Sequence, residues 1–351
     1  MKKVKNDIAL GCVSFVIEQL CFDRLSSKKN NTRLLTEFEY LFFREIVKLV
    51  KMAYREDVFS FKFNKTTFQF FALLLLSYFK PEKFLTFLDA YAVGMPYSKH
   101  ARSKYCQNQI EKANEPLNLV FLGAGLDIKW VSAFNYDKVA NRLIHKNSRS
   151  DAFEIILIDN SEKQNEILRE AFKNIFGELP ENIKIQTLDL KSSNWAKNLP
   201  LNNKIKTRFH ANGLLPYFND GETIDVITEC FSLDNSYQFI FTLLVESKNV
   251  QKITSQSSAR KIQEESSNQG EQLLFSFENI DELKILLNKA SQNIKTKLDI
   301  TAESNIIFDA KGLVEAGRKE TYIYTQSEVA KQLSQVNIEP EGEVLVFLKM
   351  N

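Results

Sequence analysis

The stretch Leu119–Asp127 restricts the fold of this chain more than any other. An apolar run ends in the string G-A-G at positions 123–125. The run has the length of a central strand in a parallel sheet and is too short for a helix. Two glycines without Cβ atoms let the backbone turn sharply and approach a ligand. Apolar residues then follow at helical spacing over 130–134. The stretch therefore predicts a strand, a glycine turn and a helix, which is where nucleotides bind in open α/β sheets.

A second apolar run, 153–158, ends in Asp159. A carboxylate at the end of the second strand can accept hydrogen bonds from both hydroxyls of a ribose. The dinucleotide fingerprint G-x-G-x-x-G is incomplete, because its third position is Ile128. A ligand with a ribose and an adenine but no pyrophosphate has less need of that helix start. S-adenosylmethionine is such a ligand, and a nicotinamide dehydrogenase is the poorer alternative.

Strands and helices are predicted to alternate after residue 117, which implies a parallel, doubly wound α/β sheet. The predicted strands are 118–122, 153–158, 183–187, 207–211 and 237–245, and the predicted helices are about 127–145, 161–176, 192–198 and 220–232. The polar stretch 141–151 is interpreted as an insertion. Strands at 296–301 and 344–348 would form an antiparallel edge, and 250–272 is predicted to be a polar loop or lid. Residues 1–112 carry helical apolar stripes and are predicted to form a helical cap on a domain over 113–351.

Composition excludes several classes of protein. The chain has 351 residues, 44% of them hydrophobic and 26% charged, with a net charge of +2. This balance gives no electrostatic case for nucleic acid or a membrane. The most apolar run, 68–79, is shorter than the ~20 residues of a membrane span. Four scattered cysteines fit a reducing, cytoplasmic location, and isolated histidines and cysteines predict no metal site.

Five ordered motifs carry a family resemblance. They are Ala101-Arg102-Ser103-Lys104-Tyr105, Val120–Asp127, Ile158-Asp159, Leu188-Asp189-Leu190 with Trp195, and Asn212–Phe218. Together they resemble the leucine carboxyl methyltransferase family, which includes the bacterial polyketide O-methyltransferases, over roughly residues 97–246. The resemblance implies a Rossmann-like class I methyltransferase sheet with an N-terminal helical extension, and S-adenosylmethionine as the cofactor. It implies O-methylation of a carboxylate or hydroxyl on a small molecule or a protein C-terminus.

The resemblance also implies roles for individual residues. Arg102 would bind the carboxylate of the cofactor's methionine part, although a cationic cluster there is usually a solvated helix face. The carboxylate of Asp189 would bind the adenine amino group, unless it caps a helix through Trp195. The remaining implied cofactor residues are Gly123, Ala124, Gly125, Asp159, Asn160, Leu190 and Asn212, and weaker substrate candidates are Tyr217 and Lys99.

The sequence does not identify a catalytic group. A carboxylate acceptor is ionised near neutral pH and needs no general base, whereas a phenol or hydroxyl needs one, for which His210 and His100 are the candidates. Two positions depart from the family, because Asn212 stands where it has glutamate and Gln107 where it usually has aspartate. These departures motivate the alternative of a non-catalytic methyltransferase-like protein that acts through protein contacts.

Overall fold

The computed structural model describes residues 10–59, 65–91, 95–148, 152–245, 280–298, 302–308, 310–321 and 342–350. The predicted loop or lid at 250–272 lies outside the described residues. The helices are α1 Leu10–Asn30, α2 Glu37–Phe59, α3 Lys65–Phe79, α4 Pro81–Tyr91, α5 Met95–Glu111, α6 Glu162–Phe176, α7 Asp220–Cys230, α8 Ile280–Leu298 and α9 Ala310–Thr321. The strands are β1 Leu117–Leu122, β2 Phe134–Asp137, β3 Arg142–His145, β4 Glu154–Asp159, β5 Ile183–Thr187, β6 Lys206–Ala211, β7 Ser236–Val245, β8 Ala302–Phe308 and β9 Gly342–Met350.

In the described part of the chain, seven strands form one sheet in the order β5-β4-β1-β6-β7-β9-β8. Strand β1 lies between β4 and β6 and runs parallel to both. Strand β9 runs antiparallel to β7 and β8, between which it is inserted. The predicted α/β fold with a mostly parallel sheet and an antiparallel edge is therefore confirmed.

The central strands are buried on both faces, which explains their continuous apolar sequences. Alternate residues of β1 and β4 point to opposite sides. Leu119 and Ile155 belong to the core that contains residues of α1, α2, α4, α5 and α6. Val120 and Ile156 belong to the opposite core, with residues of α7 and α8. No helix within the described ranges is long and apolar enough to cross a bilayer.

Helix α6 shows how local sequence sets the element boundaries. The Ser161 hydroxyl caps its start by accepting a hydrogen bond from the Gln164 N–H at 3.2 Å. Gly177 ends it with φ at +92°, a conformation that favours glycine. Helix α7 begins with a capping box between Asn219 and Glu222. The predicted helices near 161–176 and 220–232 are thus confirmed.

The prediction of a helix over 127–145 is wrong. The structure has a 3-10 helix at Lys129–Ala133 and then a two-stranded antiparallel hairpin of β2 and β3. The Asp137 carboxylate accepts hydrogen bonds from the N–H groups of Val139 (2.8 Å) and Ala140 (3.1 Å), which closes the hairpin turn. Asn141 then takes a positive φ of +44°. The hairpin also occupies part of the stretch that was interpreted as an insertion.

Two further boundaries differ from prediction. Only a short 3-10 helix, 196–198, is present where a helix was predicted over 192–198, because Asn194 adopts a φ of +58°. The alternating residues at 296–301 do not form a strand over their whole length, since α8 continues to Leu298. The edge strand is β8, at 302–308.

Candidate functional site

The glycine turn joins three parts of the fold. Gly123 and Gly125 have φ values of +58° and +52°. A Cβ atom on Gly123 would lie 2.7 Å from Leu214 Cδ1, beyond the end of β6. One on Gly125 would lie 2.8 Å from the Sγ atom of Cys12 in α1. The backbone N–H of Ala124 donates to the Ile158 carbonyl at 2.8 Å. Both glycines are therefore required by backbone conformation and by close packing.

The Asp159 side chain is tied to this turn. Its Oδ2 accepts a hydrogen bond from the Gly125 N–H at 2.9 Å, and its Oδ1 accepts one from the Ser161 N–H at 2.9 Å. Burial raises the pKa of Asp159, and backbone hydrogen bonds oppose that shift. The Asn160 backbone N–H is a third donor to this carboxylate, whose two oxygens offer about four acceptor positions in all, so one position remains. The carboxylate can thus accept a ribose hydroxyl beside the turn, and the neighbouring Asn160 is exposed there.

Arg102 lies on α5 against the exit of β6. Gly213 has a φ of +72°, and a Cβ atom on it would lie 2.9 Å from Arg102 Nη2. Burial lowers the pKa of Arg102, while the Asp127 carboxylate acts in the opposite direction. The guanidinium remains charged, since arginine is not deprotonated in proteins. The Arg102 side chain is half-buried, and a cation with a planar fork can bind a ligand carboxylate through two bonds.

Helix α5 is also bonded to the segment that follows the glycine turn. The Ser103 hydroxyl contacts both carboxylate oxygens of Asp127, at 3.0 and 2.7 Å. The Lys129 backbone N–H donates to Asp127 Oδ1 at 3.1 Å. The Asp127 carboxylate therefore fixes α5, and with it Arg102, relative to the glycine turn. The sequence placed Asp127 in the motif but gave no indication of its bond to Ser103.

The side chain of Asn212 accepts a hydrogen bond from Cys106 of α5. The Cys106 Sγ lies 3.5 Å from Asn212 Oδ1, and burial raises the Cys106 pKa to about 12. The thiol is therefore protonated near neutral pH and donates to the amide oxygen. Tyr217 is half-buried in the 3-10 helix that follows, and its electrostatic influence reaches Arg102. The structure thus brings Arg102, Asn212 and Tyr217 to the carboxyl end of β6.

The carboxyl ends of β5 and β4 lie side by side, and the Leu188 N–H donates to the Asp159 carbonyl there at 3.2 Å. The exposed Asp189 accepts the Lys191 N–H on its Oδ1 at 2.9 Å. This bond closes a turn, and the helix that Asp189 was alternatively expected to cap is absent at 192–195 in the described chain. Leu190 is buried next to it. An adenine role for both residues stays a prediction.

Three predicted candidates lie in buried contacts instead. Lys99 forms an ion pair with Glu18 of α1 at 3.1 Å, and both side chains are buried. His100 Nδ1 contacts Gln19 Oε1 at 2.8 Å. His210 stacks on Phe121 with ring centroids 5.0 Å apart, and neither of its ring nitrogens has a hydrogen-bond partner among the described residues. Burial holds the pKa of each histidine well below its usual range.

Two further features were not anticipated. Lys129 is 1% exposed, and burial lowers its pKa to about 8. Its Nζ lies 3.4 Å from Gln19 Oε1 and 3.3 Å from His100 Nδ1. Gln107, one of the two departures from the family, donates to Glu111 at 2.8 Å and to Ser132. Apart from the bond between Gln107 and Glu111 within α5, these contacts link segments that are distant in the chain, so a single sequence carries no signal for them. No cluster of potential metal ligands occurs among the residues that the structure describes.

No protein-family profile matches this chain, and no curated protein matches it. Solved structures do show partial similarity. The magnesium protoporphyrin IX methyltransferase from Synechocystis PCC 6803 with bound SAM has a TM-score of 0.37 and 9% identity, over 73% of this chain and 81% of that chain.

Two further solved structures show comparable similarity. A DUF574 family protein from Streptomyces avermitilis has a TM-score of 0.43 and 8% identity, over 74% of this chain and 87% of that chain. The geranyl diphosphate C-methyltransferase from Streptomyces coelicolor A3(2), in complex with Mg²⁺, geranyl diphosphate and S-adenosyl-L-homocysteine, has a TM-score of 0.38 and 8% identity, over 71% and 78% of the two chains. Similarity at this level assigns neither a family nor a function to this chain.

Proposed function

We propose that this protein is an S-adenosylmethionine-dependent methyltransferase that acts on a carboxylate or hydroxyl oxygen of a small molecule or a protein C-terminus. One observation carries the proposal, namely that the glycine turn, Asp159 and Arg102 converge at the carboxyl ends of β1, β4 and β6. The turn accommodates a closely approaching ligand, Asp159 suits a ribose, and Arg102 suits the carboxylate of a methionine group.

The segment after the turn supports a nucleoside without a pyrophosphate. A dinucleotide site holds its pyrophosphate at the N-terminus of the helix that follows the glycines. Here Ile128 is fully buried, and the next element is a five-residue 3-10 helix. The joint therefore lacks, within the described residues, the helix that a nicotinamide dinucleotide requires. This favours S-adenosylmethionine over the dehydrogenase alternative.

The sheet supports the same class of enzyme. Strand β9 is inserted antiparallel between β7 and β8. Such an antiparallel edge often completes the sheets of class I methyltransferases, and other doubly wound folds can carry one as well. The fold supports the class of enzyme, whereas the acceptor depends on the chemistry of the site.

When bound, the sulfonium cofactor would supply an activated methyl group, so the protein has mainly to position the reactants and exclude water. Arg102 would bind the carboxylate of the amino-acid part, and Asp159 would bind the ribose. Asp189 and the backbone N–H of Leu190 would form hydrogen bonds with the adenine. His100 and His210 are buried and have lowered pKa values. A lowered pKa makes each imidazole a weak base for an alcohol, so we favour a carboxylate acceptor over a hydroxyl.

A second candidate function rests on Asn212. Its amide oxygen, which would have to accept a hydrogen bond from the cofactor's ammonium, already receives the Cys106 thiol. Asparagine also lacks the charge that a glutamate would offer. A non-catalytic methyltransferase-like protein that acts through protein contacts would tolerate such a site, whereas the retained Gly123, Gly125 and Asp159 argue for a binding-competent one.

Calorimetric titration tests the proposal directly. The folded protein is titrated with S-adenosylmethionine, S-adenosylhomocysteine and NAD, beside the Asp159→Asn and Asp137→Asn variants. Asp137 is a matched control, because its carboxylate also accepts two backbone N–H groups, but in the distant hairpin turn. We expect micromolar binding of both adenosyl ligands, lost in Asp159→Asn and kept in Asp137→Asn.

The opposite outcome is equally informative. A folded sample that gives no heat with either adenosyl ligand contradicts the enzyme and makes the non-catalytic protein the better interpretation. If binding is seen, release of S-adenosylhomocysteine is then measured with matched carboxylic acids and phenols at pH 7. Turnover with phenols alone would contradict the preference for a carboxylate acceptor.

A further inference from the structure

A patch of aromatic and basic residues lies at the junction of α3 and α4, away from the candidate site. Leu75, Tyr78 and Phe79 occupy positions i, i+3 and i+4 of α3, so they share one helix face. They are 58%, 63% and 71% exposed. Large apolar side chains that stand together in solvent are typical of an interaction surface rather than of a monomer's ordinary surface.

Basic residues surround these rings. Lys80 follows α3 directly and Lys83 lies in the first turn of α4, while Arg24 and Lys28 of α1 line the other side of an open groove of about 510 Å³. The three lysines form no ion pair within the described residues. The groove's acidic residue, Glu82, is already paired with Lys29. We call this surface, made by Leu75, Tyr78, Phe79, Lys80, Lys83, Arg24 and Lys28, the α3–α4 patch.

The α3–α4 patch is held in a fixed shape. The Arg24 guanidinium donates to the Tyr78 carbonyl at 2.6 Å and lies 4.9 Å from the centre of the Tyr78 ring. The Tyr78 and Phe79 rings meet edge to face at 5.2 Å. The exposed rings are thus ordered by contacts from α1, although their outer faces touch water.

We propose that the α3–α4 patch docks the protein on the surface of an anionic lipid bilayer. Aromatic rings with polar neighbours favour the interface between lipid tails and headgroups. Lysine and arginine stems reach from such a position to anionic headgroups while their charges stay hydrated. The patch combines both features on one exposed helix junction.

The patch could instead bind a second copy of this chain or an acidic protein segment, but its composition fits neither as well as it fits a bilayer. In a symmetric contact with a second copy, the unpaired lysines would face lysines of the same kind, which costs free energy. An acidic protein segment would satisfy the cations but would not need the three exposed apolar side chains. An anionic bilayer accounts for both.

The patch is connected to the candidate site through α1. Cys12 of this helix packs on Gly125, and Arg24 lies twelve residues further along it. At a rise of 1.5 Å per residue, the patch lies roughly 18 Å from the glycine turn along the helix axis. The docking surface and the candidate site are therefore separate parts of the molecule. This proposal does not depend on the function proposed above.

Vesicle co-sedimentation tests the proposal. The full chain is mixed with phosphatidylcholine vesicles that contain either 40% or no phosphatidylglycerol, at low and high salt. We expect partitioning only onto the anionic vesicles and a steep decrease with salt. The Lys80→Gln/Lys83→Gln variant should lose about 30-fold in partition coefficient. Lys197→Gln/Lys204→Gln, which removes two other exposed lysines, should bind like the wild type.

Two variants that each remove an exposed apolar side chain test whether the binding depends on contact with lipid. Phe79→Ser should lower the partition coefficient about tenfold, whereas Val139→Ser, at a 98% exposed position in the β2–β3 turn, should not. Circular dichroism checks that each variant is folded. Equal losses for patch and control variants, or no binding to anionic vesicles, would overturn the proposal. Binding to polyglutamate that is unchanged in Phe79→Ser would overturn it in favour of an acidic protein segment. A dimer in sedimentation velocity that Phe79→Ser abolishes, in a protein that does not bind vesicles, would overturn it in favour of self-association.

Discussion

At the scale of single residues, Gly125 is constrained twice. Its φ of +52° strains any residue with a Cβ atom, and the place of that atom is already occupied by Cys12 Sγ. Gly177 offers a natural comparison, since its φ is +92° but nothing lies within 4 Å of a Cβ built there. Both positions have a positive φ, and of the two Gly125 alone has a steric overlap.

We therefore predict that Gly125→Ala lowers the free energy of unfolding by about 3 kcal/mol and Gly177→Ala by about 1 kcal/mol. Urea denaturation monitored by circular dichroism measures both. Adding Cys12→Ala should recover part of the loss in Gly125→Ala, because it removes the overlapping sulfur, and should recover none in Gly177→Ala. Additive effects of Cys12→Ala on both backgrounds would show that α1 does not pack on the turn.

We predict that Arg102 and Asn212 bind the amino-acid part of S-adenosylmethionine. Arg102→Gln should weaken S-adenosylmethionine binding about 30-fold, since a charge-assisted contact to a carboxylate is lost. Asn212→Glu should strengthen it about tenfold, because a carboxylate attracts the ammonium, and Arg102 packs on the adjacent Gly213, where its charge would offset the burial of that carboxylate. Calorimetry measures both affinities.

The ligand itself supplies the control for these two variants. 5′-Methylthioadenosine has the adenine and ribose but lacks the amino-acid part. Neither substitution should change its affinity by more than about twofold, whereas Asp159→Asn should weaken it. Equal effects of Arg102→Gln on both ligands would mean that Arg102 supports the fold of the site without meeting the cofactor.

At the scale of elements, the sequence predicted those that depend on local pattern. Strands β1 and β4 follow from continuous apolar runs, and α6 follows from its apolar period. The β2–β3 hairpin was missed because its strands have only four residues each. Phe134 also continues an apolar spacing that begins at Trp130 and suits a helix. Strands this short are specified by their turn and by tertiary packing, which periodicity does not report.

Helices α1 and α5 are joined by the buried ion pair of Glu18 and Lys99. The Ser14 hydroxyl also donates to Glu18 Oε1, at 2.7 Å. Removing one partner leaves the other charge buried and uncompensated. We therefore predict that Lys99→Met lowers the free energy of unfolding by about 3–5 kcal/mol and that Glu18→Met/Lys99→Met restores most of it, as measured in urea.

An exposed ion pair serves as the comparison. Lys206 and Glu115 lie 2.9 Å apart, and both side chains are about half exposed. Lys206→Met should change the free energy of unfolding by less than about 1 kcal/mol. A double variant of Glu18 and Lys99 as unstable as Lys99→Met alone would show that the ion pair contributes through more than its charges.

At the scale of the whole molecule, the site was predictable wherever its residues follow strand ends. Gly123, Gly125 and Asp159 come directly after buried strands, and parallel strands bring their carboxyl ends to one edge. The bonds from Ser103 to Asp127 and from Cys106 to Asn212 join residues 24 and 106 positions apart. Such contacts depend on how α5 lies across the sheet, and hydrophobic pattern does not determine that arrangement.

Lys129 shows how this packing sets the pH dependence of stability. Burial lowers its pKa to about 8, whereas in the unfolded chain it stays near 10.5. Between these values the unfolded chain binds more protons than the folded one, so Lys129 makes stability rise with pH across that window. The contribution is unfavourable at neutral pH and disappears once the unfolded lysine is also neutral.

We accordingly predict a pH-dependent stability difference between the wild type and Lys129→Met. The free energy of unfolding of the wild type, minus that of the variant, should increase by up to about 3 kcal/mol between pH 8 and 10.5. We compare the two proteins because Cys21 and Cys106, which both contain, have pKa values raised to about 12 and lower stability as the pH rises above 9. Urea denaturation at half-unit pH intervals measures it. Lys204→Met, at an exposed position, should give a flat difference. A flat difference for Lys129→Met as well would mean that its ammonium is solvated in the folded protein and that α1, α5 and the glycine-turn segment do not close over it.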